Sequence, residues 1–303
     1  MKKQNKKINK KRQAQTQSRW LIFAGIVLAL TAGIWIVFSS GQSANSEIKP
    51  ISRMNTNDFH SLAFSLTAPE TIYFGHHGGL MVSNNGGEDW EKTSLNGVDA
   101  MALGLPSSNP QIMYAVGHDV FYKSTDAGET WNSVSTNLPG TDIHGFTVDP
   151  ENENRVFANV GGYGIFGSQD GGETWEVLST TAPPSTFNLA VGENSQALYV
   201  AAGQAGLWKS VDGGKTWLVE SQTPDEGVVA VVYVRENNRL YISTAGAASG
   251  LYFSDDNGVT WNQLGANGVF TAIAVSPLDP NHIIVVNDQG EVFATRDSGI
   301  TWQ

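Results

Sequence analysis

Histidine and aspartate side chains that could hold a metal ion are concentrated between residues 58 and 144 of this 303-residue chain. Five of its six histidines lie there, and two of them follow an aspartate by two residues, in Asp58-x-His60 and Asp142-x-His144. Residues two apart face the same side of an extended strand. Imidazole beside carboxylate suits Zn²⁺ or another transition metal, or a pH-sensitive polar site. The alternative interpretation is a set of loop histidines hydrogen-bonded to neighbouring acids.

Three aspartates, Asp58, Asp99 and Asp142, are the catalytic candidates. A pair of carboxylates can hydrolyse a glycosidic bond, one as general acid and the other as base or nucleophile. The alternative is that these are solvated loop residues of a very acidic domain. The sequence has no Ser-His-Asp signature, phosphate-cradling loop or metal-binding helix motif. The absence of cysteine excludes disulfides, thiolate nucleophiles and cysteine-ligated zinc.

The elements that carry these residues are predicted by an eight-residue repeat, Ser-x-Asp-x-Gly-x-Thr-Trp, which occurs six times. Its tryptophans are 41, 44, 42, 44 and 41 positions apart. Each period also contains four short strand-like segments, as in SLAFS, TIYFG, GLMVS and WEKTS of the first unit. Four strands in about 40–45 residues are the signature of a propeller blade. The sequence therefore predicts an all-β fold, a six-bladed β-propeller of four-stranded blades.

Each octapeptide is predicted to form the tight turn between the third and fourth strands of its blade, since Asp, Asn and Gly favour turns. The tryptophan then packs back between blades. The first copy departs from the pattern with Asn85 and Asp89, and we expect its turn to be weaker. The structural positions in the six copies are Asn85 and Trp90, Asp126 and Trp131, Asp170 and Trp175, Asp212 and Trp217, Asp256 and Trp261, and Asp297 and Trp302.

The last repeat needs a strand from elsewhere in the sequence. It ends at Gln303, one residue after its tryptophan, and so lacks a fourth strand of its own. Residues 48–52 precede the first inner strand and occupy the place of a fourth strand in the repeat. We predict that they pair with the last blade and close the ring, which removes an open sheet edge.

The octapeptide resembles the Asp-box, or BNR, repeat of sialidases, sortilin-type receptors, some glucan hydrolases and a photosystem assembly factor. The resemblance covers residues 51–303 and implies the propeller fold. It implies no particular function, because the Asp-box turn is structural in that family.

Sialidase chemistry is disfavoured by the positions of the arginines. Sialidases resembling this fold hold the substrate carboxylate with three arginines on the inner strands, where a planar guanidinium suits a carboxylate. Here Arg155, Arg235 and Arg239 fall in loops between first and second strands, and Arg296 lies inside the sixth box. Only Arg53, in the closing segment, is placed to approach the ligand-binding mouth.

The mouth of a propeller is built from loops that enter the first strands and loops that join second to third strands. Aligning the repeats places His60, Asp99 and His144 at one position, just before the first strand in blades one to three. For a divalent metal these three are the predicted ligands; the fold itself requires no cofactor. Only His282 falls on the other face. The predicted mouth residues are His60, His76, His77, Asp99, His118, Asp119, His144 and Asp288.

The N-terminal region is predicted to anchor the chain in a membrane. Residues 1–19 hold eight basic side chains and no acid, and residues 20–38 carry no charge over a length that spans a bilayer as a helix. This charge asymmetry predicts a single-pass protein of the cell membrane, with a cytoplasmic N-terminus and an extracytoplasmic propeller. A cleaved signal peptide is the alternative. Residues 39–47 form a polar linker, and residues 48–303 form the propeller.

Charge and architecture together favour a binding function. Residues 20–303 carry ten basic against 29 acidic side chains, a net formal charge of −19, which disfavours nucleic-acid binding. We expect a non-catalytic binding or scaffold module for a protein, peptide or envelope glycan. One alternative is a glycoside hydrolase with a carboxylate pair at the mouth. The other is an assembly factor for a membrane complex, as implied by the resemblance to the photosynthetic Asp-box protein.

Overall fold

The fold is a ring of antiparallel sheets, as the repeat predicts. A computed structural model describes residues 48–56, 58–183 and 186–303, and within these residues all regular structure is β-strand. Twenty-four strands form six four-stranded antiparallel sheets, one per blade. The prediction of an all-β, six-bladed propeller with four-stranded blades is confirmed.

Within blades one to five the strands follow each other in sequence order, from the innermost to the outermost. Their bounds in blades one to three are β2 (Ser61–Phe64), β3 (Ile72–His76), β4 (Gly79–Ser83) and β5 (Glu91–Asn96); β6 (Ala102–Gly104), β7 (Met113–Gly117), β8 (Val120–Ser124) and β9 (Asn132–Ser133); and β10 (Ile143–Asp149), β11 (Asn152–Val160), β12 (Gly164–Ser168) and β13 (Glu176–Ser179). Those in blades four to six are β14 (Asn188–Val191), β15 (Leu198–Ala201), β16 (Leu207–Ser210) and β17 (Leu218–Glu220); β18 (Val228–Val234), β19 (Arg239–Thr244), β20 (Gly250–Ser254) and β21 (Asn262–Asn267); and β22 (Phe270–Val275), β23 (Ile283–Asn287), β24 (Glu291–Thr295) and β1 (Ser52–Arg53).

Each octapeptide forms a turn after the third strand of its blade, and in blades one to five this turn leads into the fourth strand, as predicted. The third copy is representative. The Asp170 carboxylate accepts hydrogen bonds from the Ser168 hydroxyl over 2.7 Å and from the Thr174 backbone N–H over 2.9 Å. The Trp175 indole N–H donates to the carbonyl of Gly172 over 2.8 Å. Gly172 has φ +97°, a conformation that favours glycine. The side chains of Ser168, Asp170, Thr174 and Trp175 thus each take part in a bond that holds the turn.

The tryptophans pack between blades, as predicted. Trp175 of blade three is buried beside Phe121 of blade two, with the rings edge to face and 5.9 Å apart. Trp217 of blade four likewise packs with Phe157 and Ile165 of blade three. The cores therefore lie between neighbouring blades, so each blade depends on the next one for its burial.

The ring is closed by the segment before blade one, which confirms the prediction. Strand β1 pairs antiparallel with β24 as the outermost strand of blade six, and the Ile51 N–H donates to the Val292 carbonyl over 2.9 Å. Met54 then enters the core shared by blades one and six. Gln303 makes two backbone bonds to Ala294, so both ends of the described chain contribute to this edge.

The predicted tail (1–19), transmembrane helix (20–38) and linker (39–47) lie outside the described residues. Among the residues that are described, there is no helix of the length and hydropathy needed to cross a membrane. Lys49–Gln303 form one compact unit.

Candidate functional site

One face of the propeller, the mouth face, is formed by the loops that enter the first strands and those that join second to third strands. The first strands line a central channel, and the cavity in it that reaches His60 has a volume of about 210 Å³. On blades one to three the mouth face carries a connected set of imidazoles and carboxylates, which we call the histidine–aspartate ladder. Its members are Asp58, His60, His76, His77, Asp99, His118, Asp142 and His144.

The ladder follows a simple rule across the blades. The aspartate that precedes a first strand binds the histidine in the next loop of the same blade: Asp58 lies 2.7 Å from Nδ1 of His77, and Asp99 lies 2.6 Å from Nδ1 of His118. The other imidazole nitrogen faces the following blade. His77 Nε2 lies 3.9 Å from Asp99, and His118 Nε2 lies 3.0 Å from Asp142. Three blades are therefore linked side chain to side chain.

The histidines two residues after an aspartate complete the ladder at its two ends. His144 Nε2 lies 2.6 Å from Asp142, and His60 Nε2 lies 3.5 Å from Asp58, so both pairs are in contact as their spacing predicts. His60 also lines the central channel. His76 lies 3.8 Å from Asp58 and stacks on Phe74. The five mouth-face histidines therefore form one cluster in the structure.

The sequence alignment of the blades was wrong at Asp99. Strand pairing sets Ser61 opposite Gly75, Ala102 opposite Val116, and Gly145 opposite Asn159. In this register Met101 corresponds to His60 and His144, whereas Asp99 corresponds to Asp58 and Asp142. A slip of two residues preserves the in–out alternation of a strand, so the apolar pattern of the short strand β6 does not reveal it.

The predicted metal ligands are consequently divided among three groups. The sets of His and Asp atoms that lie within 4.8 Å of one another are Asp58, His60 and His77; His77, Asp99 and His118; and His118, Asp142 and His144. His60, Asp99 and His144 each belong to a different set, so the structure does not bring these three together.

Two predicted mouth residues lie apart from the ladder. Asp119 occupies a turn with φ +59°, and its carboxylate accepts a hydrogen bond from the Thr141 hydroxyl. Asp288 lies on blade six, where its backbone N–H donates to the carbonyl of Val269 over 3.1 Å. Among the contacts of the described residues, neither carboxylate pairs with a ladder histidine.

Burial and hydrogen bonding shift the pKa values at one end of the ladder. Burial lowers the pKa of His60, and the neighbouring His77 adds to this effect, while Asp58 and Asp99 oppose it. Burial likewise lowers the pKa of His76. Partial burial acts to raise the pKa of Asp58, but hydrogen bonds from Thr56 and from the His77 backbone outweigh it, so the pKa is lowered. The Asp58 environment thus favours a carboxylate over a carboxylic acid.

The described arginines do not converge on the mouth. Arg235 lies 2.9 Å from Glu151, Arg239 lies 2.7 Å from Asp255, and Arg296 lies 2.6 Å from Glu70, all on the face opposite the mouth. Arg155 stacks on Phe157 on that same side. Arg53 is exposed on the outermost strand of blade six. The arginine triad of a sialidase is therefore not formed by the described residues.

Two exposed aromatic residues of the mouth face did not emerge from the sequence analysis. Tyr163 lies in the loop between β11 and β12 and is 49% exposed, and Phe187 precedes β14 and is 57% exposed. They extend the mouth face from the ladder on blade three to blade four. An aromatic residue inside a predicted mouth loop was the available signal, but its exposure depends on the packing around it.

Sequence comparisons agree with this architecture. The family model for Sortilin-Vps10 (sortilin, neurotensin receptor 3) matches residues 119–245, and the model for the BNR/Asp-box repeat matches residues 252–263. The six blades and their six boxes show the same repeat throughout the described ring. The chain is an Asp-box β-propeller. No curated protein matches its sequence.

Solved structures similar to the Asp-box propeller include both enzymes and a peptide-bound protein. The GH74 enzyme of Niastella koreensis superposes with a TM-score of 0.61 at 21% identity, over 84% of this chain and 46% of the enzyme. The GH74 xyloglucanase of Xanthomonas campestris gives 0.60 at 15%, over 85% and 46%. YCF48 bound to D1 peptide gives 0.55 at 18%, over 85% and 87%. The chain thus spans about half the length of these two enzymes, and at these identities the likeness shows the fold.

Proposed function

We propose that the Asp-box propeller is a membrane-anchored, extracytoplasmic and non-catalytic binding module that takes a peptide or protein segment on its mouth face. The observation that carries this proposal is the character of the mouth face on blades one to four. The connected polar groups of the ladder adjoin exposed Tyr163 and Phe187. Polar groups that fix orientation beside aromatic side chains are the usual composition of a recognition surface.

Charge narrows the class of ligand. The chain beyond its basic tail has a formal charge of −19, so an acidic segment is repelled and a basic segment is attracted. The match to YCF48 covers 85% of this chain and 87% of YCF48, and YCF48 is bound to a peptide in its solved structure. An envelope glycan is the other ligand class that an aromatic mouth face suits.

The ladder carboxylates argue against catalysis. A glycosidase needs one carboxyl group with a raised pKa to protonate the leaving group. The pKa of Asp58 is instead lowered, and Asp99 and Asp142 each lie within 3.0 Å of an imidazole nitrogen. Engaged carboxylates of this kind suit binding better than proton transfer.

A glycoside hydrolase is the second candidate, favoured by three aspartates at equivalent positions on the mouth face and by the likeness to GH74 enzymes. Release of reducing ends from a glucan, abolished in Asp58→Asn or Asp142→Asn, would support it. Absence of turnover across a panel of β-glucans supports the binding function instead.

The binding proposal is tested with the full-length chain and a fluorescent peptide library of graded net charge, measured by anisotropy. We expect saturable binding that strengthens from acidic to basic peptides. The double variant Tyr163→Ser with Phe187→Ser is expected to weaken binding about tenfold or more.

The matched control removes two exposed apolar side chains from the opposite face, Val259→Ser with Ile300→Ser. This variant should bind as the parent does. Equal weakening by the two double variants would contradict a site on the mouth face, and binding of glycans alone would replace the peptide as ligand.

A further inference from the structure

The end of the ladder at blade three has the geometry of an open metal site. His118 Nε2 and His144 Nε2 lie 3.3 Å apart, and both face the same oxygen of Asp142, at 3.0 Å and 2.6 Å. Ligand atoms at 2.0–2.1 Å from a tetrahedral Zn²⁺ are about 3.3 Å from one another. The three atoms therefore need only a small expansion to surround an ion.

The proton on His118 makes this arrangement favourable for a cation. His118 Nδ1 lies 2.6 Å from the Asp99 carboxylate, so in the neutral imidazole Nδ1 carries the proton and Nε2 keeps its lone pair. That lone pair faces an anionic oxygen and a second imidazole nitrogen. A cation placed between the three atoms satisfies all of them.

Asp99 acts as the outer partner of His118. A metal-bound histidine commonly donates its other N–H to a carboxylate, which fixes the ring and increases its basicity. Asp99 is mostly buried, and its second oxygen has no hydrogen-bond partner among the described residues. Asp99 thus orients His118. The coordinating carboxylate is that of Asp142, which directly precedes the first strand of blade three.

Blade three leaves room for this role of Asp142. The loop position that holds His77 and His118 in the first two blades is Gly161 in the third. A Cβ at residue 161 would lie 2.5 Å from an Asp142 oxygen. Without that side chain, Asp142 is 53% exposed and its carboxylate is free to turn towards His118 and His144.

We propose that His118, Asp142 and His144 bind a divalent first-row transition ion of the Zn²⁺ class, with Asp99 positioning His118. Two imidazoles and one carboxylate are a ligand set that zinc accepts, and three protein ligands leave one position for water or a donor from another molecule. The ligand set overlaps the sequence-predicted one only at His144. The inference does not depend on the proposed peptide binding.

The test is calorimetric titration of the untagged, EDTA-treated full-length chain with Zn²⁺, supported by the visible spectrum of the Co²⁺ form. We expect one ion per chain and the spectrum of four-coordinate Co²⁺ with nitrogen and oxygen ligands. His144→Ala and Asp142→Asn should each weaken Zn²⁺ binding by about tenfold or more, and Asp99→Asn by about 10–100-fold.

The matched control is His77→Gln, which dismantles the other two groups of the ladder and leaves His118, Asp142 and His144 in place. His77 stacks on His118 with the ring centroids 5.7 Å apart but supplies no ligand atom to this group, so His77→Gln should weaken Zn²⁺ binding much less than His144→Ala does. Weakening equal to that of His144→Ala, or no saturable Zn²⁺ binding by the parent, would overturn the proposal. Thermal unfolding in EDTA checks that each variant is folded. If His144→Ala does not fold, Asp142→Asn still tests the proposal, because Asp142 is exposed.

Discussion

The Asn85 amide donates to the Asp89 carboxylate over 2.9 Å in the first Asp box, so the donor and acceptor positions are exchanged relative to the other boxes. In those boxes an aspartate accepts from a threonine hydroxyl, as Asp212 does from Thr216 over 2.7 Å. Asn85 Oδ1 still accepts from the Asp89 backbone N–H over 3.0 Å. The two departures from the pattern therefore compensate for one another, so this turn keeps the full set of bonds, although we expected it to be weaker.

This exchange predicts a strong coupling between the two positions. Asn85→Asp alone places two carboxylates side by side and should lower the free energy of unfolding by about 1–2 kcal/mol. Combining it with Asp89→Thr recreates the common box and should restore most of the loss. Urea unfolding of the two single variants and the double variant measures the coupling. Additive effects would show that the exchange has no structural consequence.

Ring closure predicts that residues 48–54 are needed for stability, although they precede the first blade. Their removal deletes β1, exposes the edge of β24 and takes the buried Met54 from the core of blades one and six. Loss of a buried methionine alone costs roughly 2–5 kcal/mol, so Tm should fall by several degrees at least. Deletion of residues 41–47, the same number of residues, is the control and should leave Tm unchanged. Similar Tm values for both deletions would contradict the closure.

The ring was predictable from the sequence because its determinants are local and repeated. Each box holds its own turn through neighbouring side chains, and each tryptophan recurs at a near-constant period, as Trp175 and Trp217 illustrate. The closing strand was predictable for the same reason, since the repeat lacks one strand at one end and has one extra at the other.

The ladder was predictable in composition but not in its contacts. His118 reaches Asp142 on the next blade, and that contact depends on how two loops approach each other across the ring. Asp99 was aligned with His60 because a two-residue slip leaves the alternation of a strand unchanged. Only the backbone pairing of the strands shows that Asp99 is equivalent to Asp58 and Asp142 and not to the two histidines. This register changes the expected metal ligands.

The Asp boxes predict a loss of stability at low pH. Hydrogen bonds from threonine side chains and backbones lower the pKa of Asp170 and Asp256 from 3.8 to about 2. A lowered native pKa contributes stability above the unfolded value, and this is lost as pH falls through the native one. The free energy of unfolding should therefore decrease between about pH 4 and pH 2.

Asp170→Asn tests this assignment, because Asn85 shows that an amide can hold the same turn. The variant should bind about one proton fewer on unfolding in that pH range, and it should be less stable than the parent at pH 7, where the ionised carboxylate contributes. The measurement is the pH dependence of the urea midpoint for parent and variant. An unchanged pH dependence would show that the Asp170 carboxylate does not contribute.

His282 predicts a second loss of stability at milder pH. It is 2% exposed and packs against Phe64 across the junction of blades one and six. Burial and the nearby Arg296 lower its pKa below 6.5, although Glu70 and Asp279 oppose the shift. Since the unfolded chain takes up this proton at a higher pH than the folded chain, the free energy of unfolding falls as pH decreases below about 6.5. The loss is about 1.4 kcal/mol for each unit of the difference between the two pKa values.

His282→Gln should flatten the pH dependence of the free energy of unfolding between about pH 6.5 and pH 5 and leave the loss of stability from the Asp boxes in place. An NMR titration that gives His282 an ordinary or raised pKa would contradict this explanation.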